Sequence, residues 1–598
     1  MWSLIRISTQ LLTLPSAIYC LTITNFSLNL LMKVKSFITF FICSISLSFA
    51  VIPLPNAPSW SSNDTDYSTG GALYDMTMDG WIDYCTGNGN DMASNRNSIY
   101  VNQNGTLETT ASWHSTESGY FSHIYIGDVN NDGYPEMAVS YLGFGAANQG
   151  PTSIYINTGT GLDPTAWWTS ADLYNSFDCA FGDVDLDADL DLAVAAGDAY
   201  TALKSPTKVY RNNNGTIETT PYWISTDSTP GDACRWVDLN NDGYLDLVVG
   251  YLRKLAVFNN INGTLEQVAS WSTSEPGWIL RVAAGDYNND GYKDVAVACN
   301  GQLSGDISRI EVYRNEDGIL QTPPEYVMLT NRSYCSCVEW GDVNNDGWID
   351  LAAGGWWEPV VVFENNGGVI DTTPAWSWSG GSGLVCETVM WGDIRKNALT
   401  TIDEYKNGDG VRKLFYLDHH PIQSLEEVAI DDSLVSITDY TYDPLNGWIS
   451  LRNAPPSGND IVTIRYTYSR YPDLGVTNWS RSNGNYLFSN TTGIEEFAVQ
   501  TTGSLHLRLE LYPNPFREKI NIRCIMHDIR YKMQDFTLKI YDVGGRAVRQ
   551  WNKQNIGLST HMTWHGVDEF GRRLPAGIYV VELKVGDMTA REKVVLVR

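Results

Sequence analysis

Charge is scarce in this sequence, and positive charge is scarcest. Charged residues make up 18% of 598, and 40 Lys and Arg face 69 Asp and Glu, a net charge of −29. Soluble chains usually carry about 25% charged residues. A chain so short of Lys and Arg is a poor partner for nucleic acid or an anionic membrane, whose phosphates need those cations. Histidine is rare too, with eight in all, at 114, 123, 419, 420, 506, 527, 561 and 565. No G-x-S-x-G, H-E-x-x-H or phosphate-cradling loop occurs, so nothing marks a serine hydrolase, a zincin or a nucleotide site. Paired carboxylates are abundant, which prevents picking out an acid/base pair by sequence. Disorder is excluded by what is present: 43% hydrophobic residues, 12% aromatic, and 21 Trp.

Residues 1–50 contain no Asp or Glu. Within them Met32-Lys33-Val34-Lys35 precedes the apolar run Phe37 to Leu47 and then Ser48-Phe49-Ala50. This is the pattern of a secretory signal peptide cut after Ala50, with Met32 the expected true start. The run is shorter than the ~20 residues of a membrane span, so no transmembrane anchor is expected in the mature chain. Cleavage removes Arg6, Lys33 and Lys35 and takes the charge to −32. Cysteines 85, 179, 234, 299, 335, 337, 386 and 524 remain, without C-x-x-C pairs or metal-ligand spacing. Cys179 and Cys234 each lie four residues before an Asp that opens a loop described next. They are expected as small core residues at equivalent strand positions.

The chain repeats itself. DMTMDGWID, DVNNDGYPE, DVDLDADLD, DLNNDGYLD, DYNNDGYKD and DVNNDGWID begin at Asp75, Asp128, Asp183, Asp238, Asp286 and Asp342, and a decayed seventh start lies at Asp393. The spacings are 53, 55, 55, 48, 56 and 51. Most copies run into an apolar or alternating stretch such as LVVGY or VAVAC, which reads as a strand. A second landmark, aromatic-x-Asn, recurs at Asn102, Asn157, Asn212, Asn260, Asn315, Asn365 and Asn490. In the seventh copy the two landmarks are 97 residues apart rather than 22–29. Tyr471–Trp479 (YPDLGVTNW) resumes the pattern of YPEMAVSY after the second loop, so residues 398–470 are an insert within the seventh loop. The insert reads as short β-runs forming a small β-domain that projects from the rim.

About 55 residues per repeat suit four short strands with their turns. Seven such units closed in a ring form a β-propeller, which leaves only short, protected sheet edges. Pro58-Ser59-Trp60 matches the outer-strand Ala-Ser-Trp at Trp113, so the N-terminus is expected to complete the last blade. The fold class expected is therefore all-β: a seven-bladed β-propeller (51–397 and 471–505), the β-domain inserted in blade seven, and a C-terminal Ig-like β-sandwich (506–598). On the six loops and their strands, the chain resembles the FG-GAP/VCBS repeats of integrin α-subunit propellers and of many bacterial surface proteins.

Each nine-residue loop can offer calcium side-chain oxygens at positions 1, 3, 5 and 9 and a carbonyl at position 7. Calcium takes six to eight oxygens at about 2.3–2.6 Å. The expected ligand sets are Asp75, Thr77, Asp79, Trp81 and Asp83; Asp128, Asn130, Asp132, Tyr134 and Glu136; and Asp183, Asp185, Asp187, Asp189 and Asp191. The remaining three are Asp238, Asn240, Asp242, Tyr244 and Asp246; Asp286, Asn288, Asp290, Tyr292 and Asp294; and Asp342, Asn344, Asp346, Trp348 and Asp350. Trp81, Tyr134, Asp189, Tyr244, Tyr292 and Trp348 would use their carbonyls. Up to six structural calcium ions are expected, the first weaker because of Thr77, the third with Ala188 where Gly is expected, and none at the seventh, where Arg395 holds position 3. An EF-hand does not fit, since position 12 of loops two to six is Val or Ala inside a predicted strand.

The last residues change sign: 506–598 carry 16 Lys and Arg against 10 Asp and Glu. Tyr512-Pro-Asn-Pro-Phe516, Ile540-Tyr-Asp-Val-Gly-Gly-Arg546, Trp564-His-Gly-Val-Asp568 and Leu574-Pro-Ala-Gly-Ile-Tyr579 resemble the C-terminal sorting domain of type IX secretion and its FlgD-like relatives. That resemblance implies an outer-membrane export machine as partner and a secreted or cell-surface bacterial protein. By analogy with integrin propellers, the calcium loops share one face and the strand 2–3 connections the other. Tyr141, Tyr251, Trp356, Trp357 and Trp479 begin such connections and are candidate ligand contacts for a glycan or protein. The leading reading is a binding or adhesion protein. A polysaccharide-degrading enzyme, which some lyases of this architecture suggest, and a structural surface-layer component are the alternatives.

Overall fold

The computed structural model describes residues 52–492, apart from 274–276, 306, 330–333, 382 and 481, and most of 507–597, apart from 513–515, 518, 527–535, 543–545, 554–558 and 586–587. The signal region (1–50, with Met32 and Ala50) lies outside the described residues. The chain divides into two compact units, at 489/490, and it is all-β, as expected.

In the first unit, seven antiparallel sheets follow one another, each built on a path of four strands, the third with Leu203–Lys204 added beside its second strand. Their first strands are Ser68–Tyr74, Phe121–Gly127, Ser176–Gly182, Gly231–Val237, Trp278–Gly285, Cys335–Gly341 and Cys386–Gly392. Each first strand packs on the next, and the last packs on the first, so these strands form a closed inner ring. Almost all their residues are buried, as are those of the second strands, which supply the apolar runs such as LVVGY. The seventh sheet is closed by the N-terminus: Trp60 and Ser61 pair with Leu487 and Tyr486. Its strands therefore come from both ends of the unit.

Glycine sets the spacing between sheets. A Cβ on Gly182 would lie 2.5 Å from the ring of Trp236 in the next first strand, and one on Gly341 would lie 2.6 Å from that of Trp391. Only a residue without a side chain lets those indoles cross the preceding backbone.

The insert has its own two sheets, Leu399–Gly408, Gly458–Ser469, Ile422–Ile430 and Ser433–Leu434 in one, and Leu414–Tyr416, Trp448–Leu451 and Tyr440–Asp443 in the other. Phe415, Val428, Ile449, Val462 and Ile464 form its core. The expectation that it projects from the rim is corrected. Leu414 and Trp448 belong to the same buried cluster as Tyr125, Phe181 and Trp236 of the propeller. Tyr125 Oη donates to Asp443 Oδ2 (2.6 Å), Lys413 Nζ to Leu186 O (2.9 Å) and Asp238 N to Tyr416 Oη (2.9 Å). The physical reason is position. The seventh loop follows an inner strand, so an insert there starts beside the axis, and lying across the loop face buries apolar groups that projection would leave wet.

The second unit is described by itself. Its sheets, Leu507–Tyr512, Ile520–Met526 and Ser559–Trp564 in one and Phe536–Asp542, Ala547–Lys553, Gly577–Val585 and Met588–Leu596 in the other, share a core that includes Phe516, Ile522, Leu538, Trp564, Val581 and Leu583. The sorting-domain landmarks have structural roles. Phe516 is buried and its N–H donates to Val595 O at 2.9 Å, while Tyr579 Oη donates to Pro575 O at 2.7 Å.

Candidate functional site

Each nine-residue loop joins the first strand of a sheet to the second. The position-9 acid (Asp83, Glu136, Asp191, Asp246, Asp294 or Asp350) begins the second strand and pairs with the last residue of the first. In the second loop, Asp128 accepts from Asp132 N at 3.1 Å and Gly133 N at 2.8 Å, Asn130 Oδ1 from Asp132 N at 2.9 Å, and Asp132 Oδ1 from Tyr134 N at 2.9 Å. The loops opened by Asp238, Asp286 and Asp342 repeat all four bonds. Position 4 takes a left-handed φ of 54–58° in all seven loops, at Met78, Asn131, Leu186, Asn241, Asn289, Asn345 and Lys396, a region Asn tolerates best. Ala188 adopts the left-handed turn at φ 67°, so the third loop keeps its shape without Gly.

These bonds aim carboxylates at one another in buried surroundings. Burial pushes Asp128, Asp238 and Asp342 up to about 6, Asp83 and Asp246 to about 7, and Glu136 and Asp294 to about 8. Asp75, Asp286, Asp191 and Asp350 move the same way for the same reason. The third loop is the most acidic. Ligand oxygens of Asp183, Asp185 and Asp187 lie within 4.8 Å of one another, the one such trio among the described residues. Burial holds Asp183 near 7 and Asp187 near 6. Two position-3 oxygens, Thr77 Oγ1 and Asp185 Oδ1, are buried with no hydrogen-bond partner among the described residues. A hard cation is the group that would satisfy them, so the donor set fits calcium. Asp189 is buried, with its carboxylate taken by Arg452, Asn131 and the N–H of Asn214, which leaves its carbonyl as its only contribution.

The seventh loop has a built-in cation. The Arg395 guanidinium lies 3.3 Å from Asp473, which accepts from Ile394 N as position-9 acids do elsewhere. The insert has moved that acid far along the sequence but not in space.

On the other face the candidate aromatics separate. Tyr251 is wholly buried, its hydroxyl 3.1 Å from Thr207 Oγ1, and Trp356 is 3% exposed with Nε1 donating to Glu387. Neither offers a surface to a ligand, because Trp356 packs with Trp278 and Trp479 into an aromatic plug. Trp479 and Tyr141 are half-buried, and Trp357 is 53% exposed. Sequence reasoning missed Tyr200 and Trp278 in this plug, and Asp232, whose carboxylate accepts from Trp278 Nε1 at 2.7 Å and is pushed up to about 7 by burial. It also missed the charges that fill the ring between its two faces. Arg281 Nη1 lies 3.0 Å from His123 Nδ1 and 3.1 Å from Asp178 Oδ1, and Arg235 lies 3.6 Å from Glu339. The signal available was a charged or polar residue shortly before the loop: His123, Asp178 and Arg281 five residues ahead of the opening Asp, and Arg235 and Glu339 three ahead.

Between the insert and loops four to seven lies a cleft of about 760 Å³, within the range of small-ligand sites. Asp418, His419 and His420 line it, but as parts of a network rather than one ligand cluster. His419 stacks on Tyr468 at 3.9 Å and its Nδ1 meets Tyr466 Oη at 3.1 Å, while Tyr466 donates to Glu404 and Lys406 pairs with Glu404 and Asp418. Burial pushes His420 down to about 3, helped by Lys293 nearby. Lys293 is half-buried, its ammonium over the Tyr416 ring at 4.7 Å and without a hydrogen-bond or ion-pair partner among the described residues.

Sheets in a closed ring, each with an acidic loop between its first two strands, define a class of repeat protein, and the sequence comparisons agree. FG-GAP-like repeats are found at residues 75–139, 196–249 and 238–297, and a secretion system C-terminal sorting domain at 510–597. That tail makes this a secreted or cell-surface protein that engages the type IX secretion machinery. No curated protein matches the chain. Among solved structures, PorZ, a surface component of the type IX secretion system of Porphyromonas gingivalis, is 12% identical over 89% of this chain and 75% of its own, with a TM-score of 0.17. Dimeric latent PorU from the same organism is 13% identical over 68% of this chain and 31% of its own, with a TM-score of 0.16. Scores this low carry no argument, and this chain spans about a third of PorU. No described helix is long and apolar enough to cross a membrane.

Proposed function

We propose that the protein is a calcium-braced ring that, once exported, binds an extracellular ligand, a glycan or an acidic protein segment, in the cleft beneath the insert. The observation that carries the binding reading is Lys293, an ammonium without an ion-pair partner among the described residues, in a cleft of about 760 Å³. An anionic group would supply that partner. Asp286 and Asp342, which open two of the acidic loops, also line the cleft, so calcium there would add positive charge beside the same ligand. Calcium itself is proposed from the buried, partnerless oxygens of Thr77 and Asp185 and the raised carboxylates around them. In each site the loop residues hold the ion, and the ion offsets repulsion among acids that folding has already brought together.

Two measurements separate the parts of this reading. Calorimetry of the full chain with and without chelator is expected to show a large calcium-dependent rise in Tm, since an ion at 100 times its Kd adds about 2.7 kcal/mol per site. An unchanged Tm would remove calcium from the account. A panel of uronate-containing and neutral oligosaccharides and of acidic peptides, titrated into calcium-loaded protein, is expected to show binding of an acidic ligand that Lys293→Met weakens at least tenfold. Binding that ignores Lys293→Met would move the site elsewhere. A second reading, cleavage of polysaccharide, is favoured by His419, which lines the same cleft as Lys293 and whose Nδ1 meets Tyr466 Oη, and appearance of unsaturated uronate absorbance in the same panel would select it.

A further inference from the structure

Cys337 and Cys386 stand on neighbouring inner strands, Cys335–Gly341 of the sixth sheet and Cys386–Gly392 of the seventh. Both are buried, and their sulfurs are 3.4 Å apart. The space between them is shaped by a third residue. Gly354 pairs with Cys337 in the adjacent strand, and a Cβ there would lie 2.6 Å from Cys386 Sγ and 3.0 Å from Cys337 Sγ. Any other residue would push the two sulfurs aside. Both inner strands also break register at this point, between Cys335 and Cys337 and between Cys386 and Val389, and such bulges let a strand shift locally.

We infer that Cys337 and Cys386 form a disulfide in the exported protein, tying the sixth sheet to the seventh. Chains that leave the reducing cytosol meet conditions in which disulfides form and persist. In the reaction one thiolate attacks the disulfide of a thiol–disulfide oxidant, and the second thiol displaces it. One protein S–S bond forms, the oxidant's S–S bond breaks, and two electrons and two protons leave the cysteines to give the oxidant's dithiol. Both sulfurs are inaccessible in the finished ring, so the bond must form while the seventh sheet is still docking. The link falls where it does most. The seventh sheet is the one assembled from distant segments, with Trp60 and Ser61 at its outer edge and the insert between its first two strands. The bridge would hold that composite sheet to a contiguous neighbour and keep the ring from opening at its seam.

The test compares full chain exported to an oxidising compartment with full chain made in a reducing cytosol. Both are denatured with excess alkylating reagent and mapped by mass spectrometry without reduction. The exported chain is expected to yield a peptide pair joined through Cys337 and Cys386, with neither residue alkylated. The cytosolic chain should carry label on both. Alkylation of both residues in the exported chain would overturn the inference. As a check on folding, Cys337→Ser with Cys386→Ser is expected to lower the Tm of exported protein by several degrees more than that of cytosolic protein, where only the cost of burying the hydroxyls remains. An equal loss in both would assign these cysteines to packing alone.

Discussion

The inner ring holds a residue whose protonation the fold opposes. His123 is 1% exposed and lies against Arg281 and Asp178. Burial, and next the Arg281 charge, pull its pKa down from 6.5 to about 4. Asp178 moves down as well, since Arg281 and His123 outweigh a burial that alone would raise it. For His123 the folded value lies below the unfolded one, so between pH 6.5 and 4 the unfolded chain binds more protons. Stability is therefore complete above pH 6.5 and is lost as pH falls through that window, by about 3 kcal/mol from this residue. Urea denaturation of calcium-loaded protein across the window is expected to show this loss in the wild type and a shallower one in His123→Gln. Parallel curves would show that His123 takes up its proton as readily in the folded ring as in the unfolded chain. Ala188 is a second single-residue case. Its φ of 67° is a conformation that costs a side chain about 1–2 kcal/mol, and Gly's freedom in the unfolded chain returns part of that. Ala188→Gly is thus expected to leave stability unchanged or raise it by up to about 1 kcal/mol, and a loss would show that the methyl group packs.

At the scale of elements, the asparagine landmark turns out to be a latch. Asn212 Nδ2 donates to Val129 O (2.6 Å), the second residue of the preceding loop, and its N–H to the position-9 acid Asp191 (2.7 Å). Asn157, Asn260, Asn315 and Asn365 reach back in the same way to Met76, Val184, Leu239 and Tyr287, and Asn102 reaches Ile394 of the seventh loop. Six of the seven loops are thus locked by the following sheet. Asn212→Ala leaves Val129 O and Leu190 O without this donor, at about 1–3 kcal/mol for each buried group. Its neighbour Asn213 is exposed, and Asn213→Ala should stay within about 0.5 kcal/mol. Equal effects in urea would dismiss the latch. These elements were legible because repetition exposes them. A period near 55 residues gave the strands, and a break in Asp-to-Asn spacing gave the insert. Trp60 beside Trp113 pointed to the closing strand, now seen pairing with Leu487. What stayed hidden depends on neighbours distant in sequence. Nothing around Tyr251 or Trp356 says that they turn inward. Lys293, a lysine at position 8 of an acidic loop, gains meaning only when the insert folds over it.

For the whole molecule the question is whether the insert is a passenger on the ring or part of it. Its own core could stand alone, as Val428, Ile449, Val462 and Ile464 pack together. Yet Trp448, entirely buried, and Leu414 face the other way, into the cluster of Tyr125, Phe181 and Trp236. Arg412 adds a hydrogen bond to Asn241 O, and Arg452 an ion pair with Asp189, so the insert grips the second to fourth sheets while its chain ends belong to the seventh. A piece fastened across the ring in this way should melt with it. Trp448→Ala removes a large buried side chain and is expected to cost about 3–5 kcal/mol. The stronger expectation concerns cooperativity. In calorimetry of residues 52–489, which form one compact unit, wild type should unfold in a single transition, and Trp448→Ala should move that whole transition downward. If the insert were a passenger, the variant would instead show a new low-temperature step of small enthalpy, with the main transition unmoved. The same comparison bears on function, because the cleft at Lys293 has the ring for its floor and the insert for its roof, and it keeps its shape only while the two unfold together.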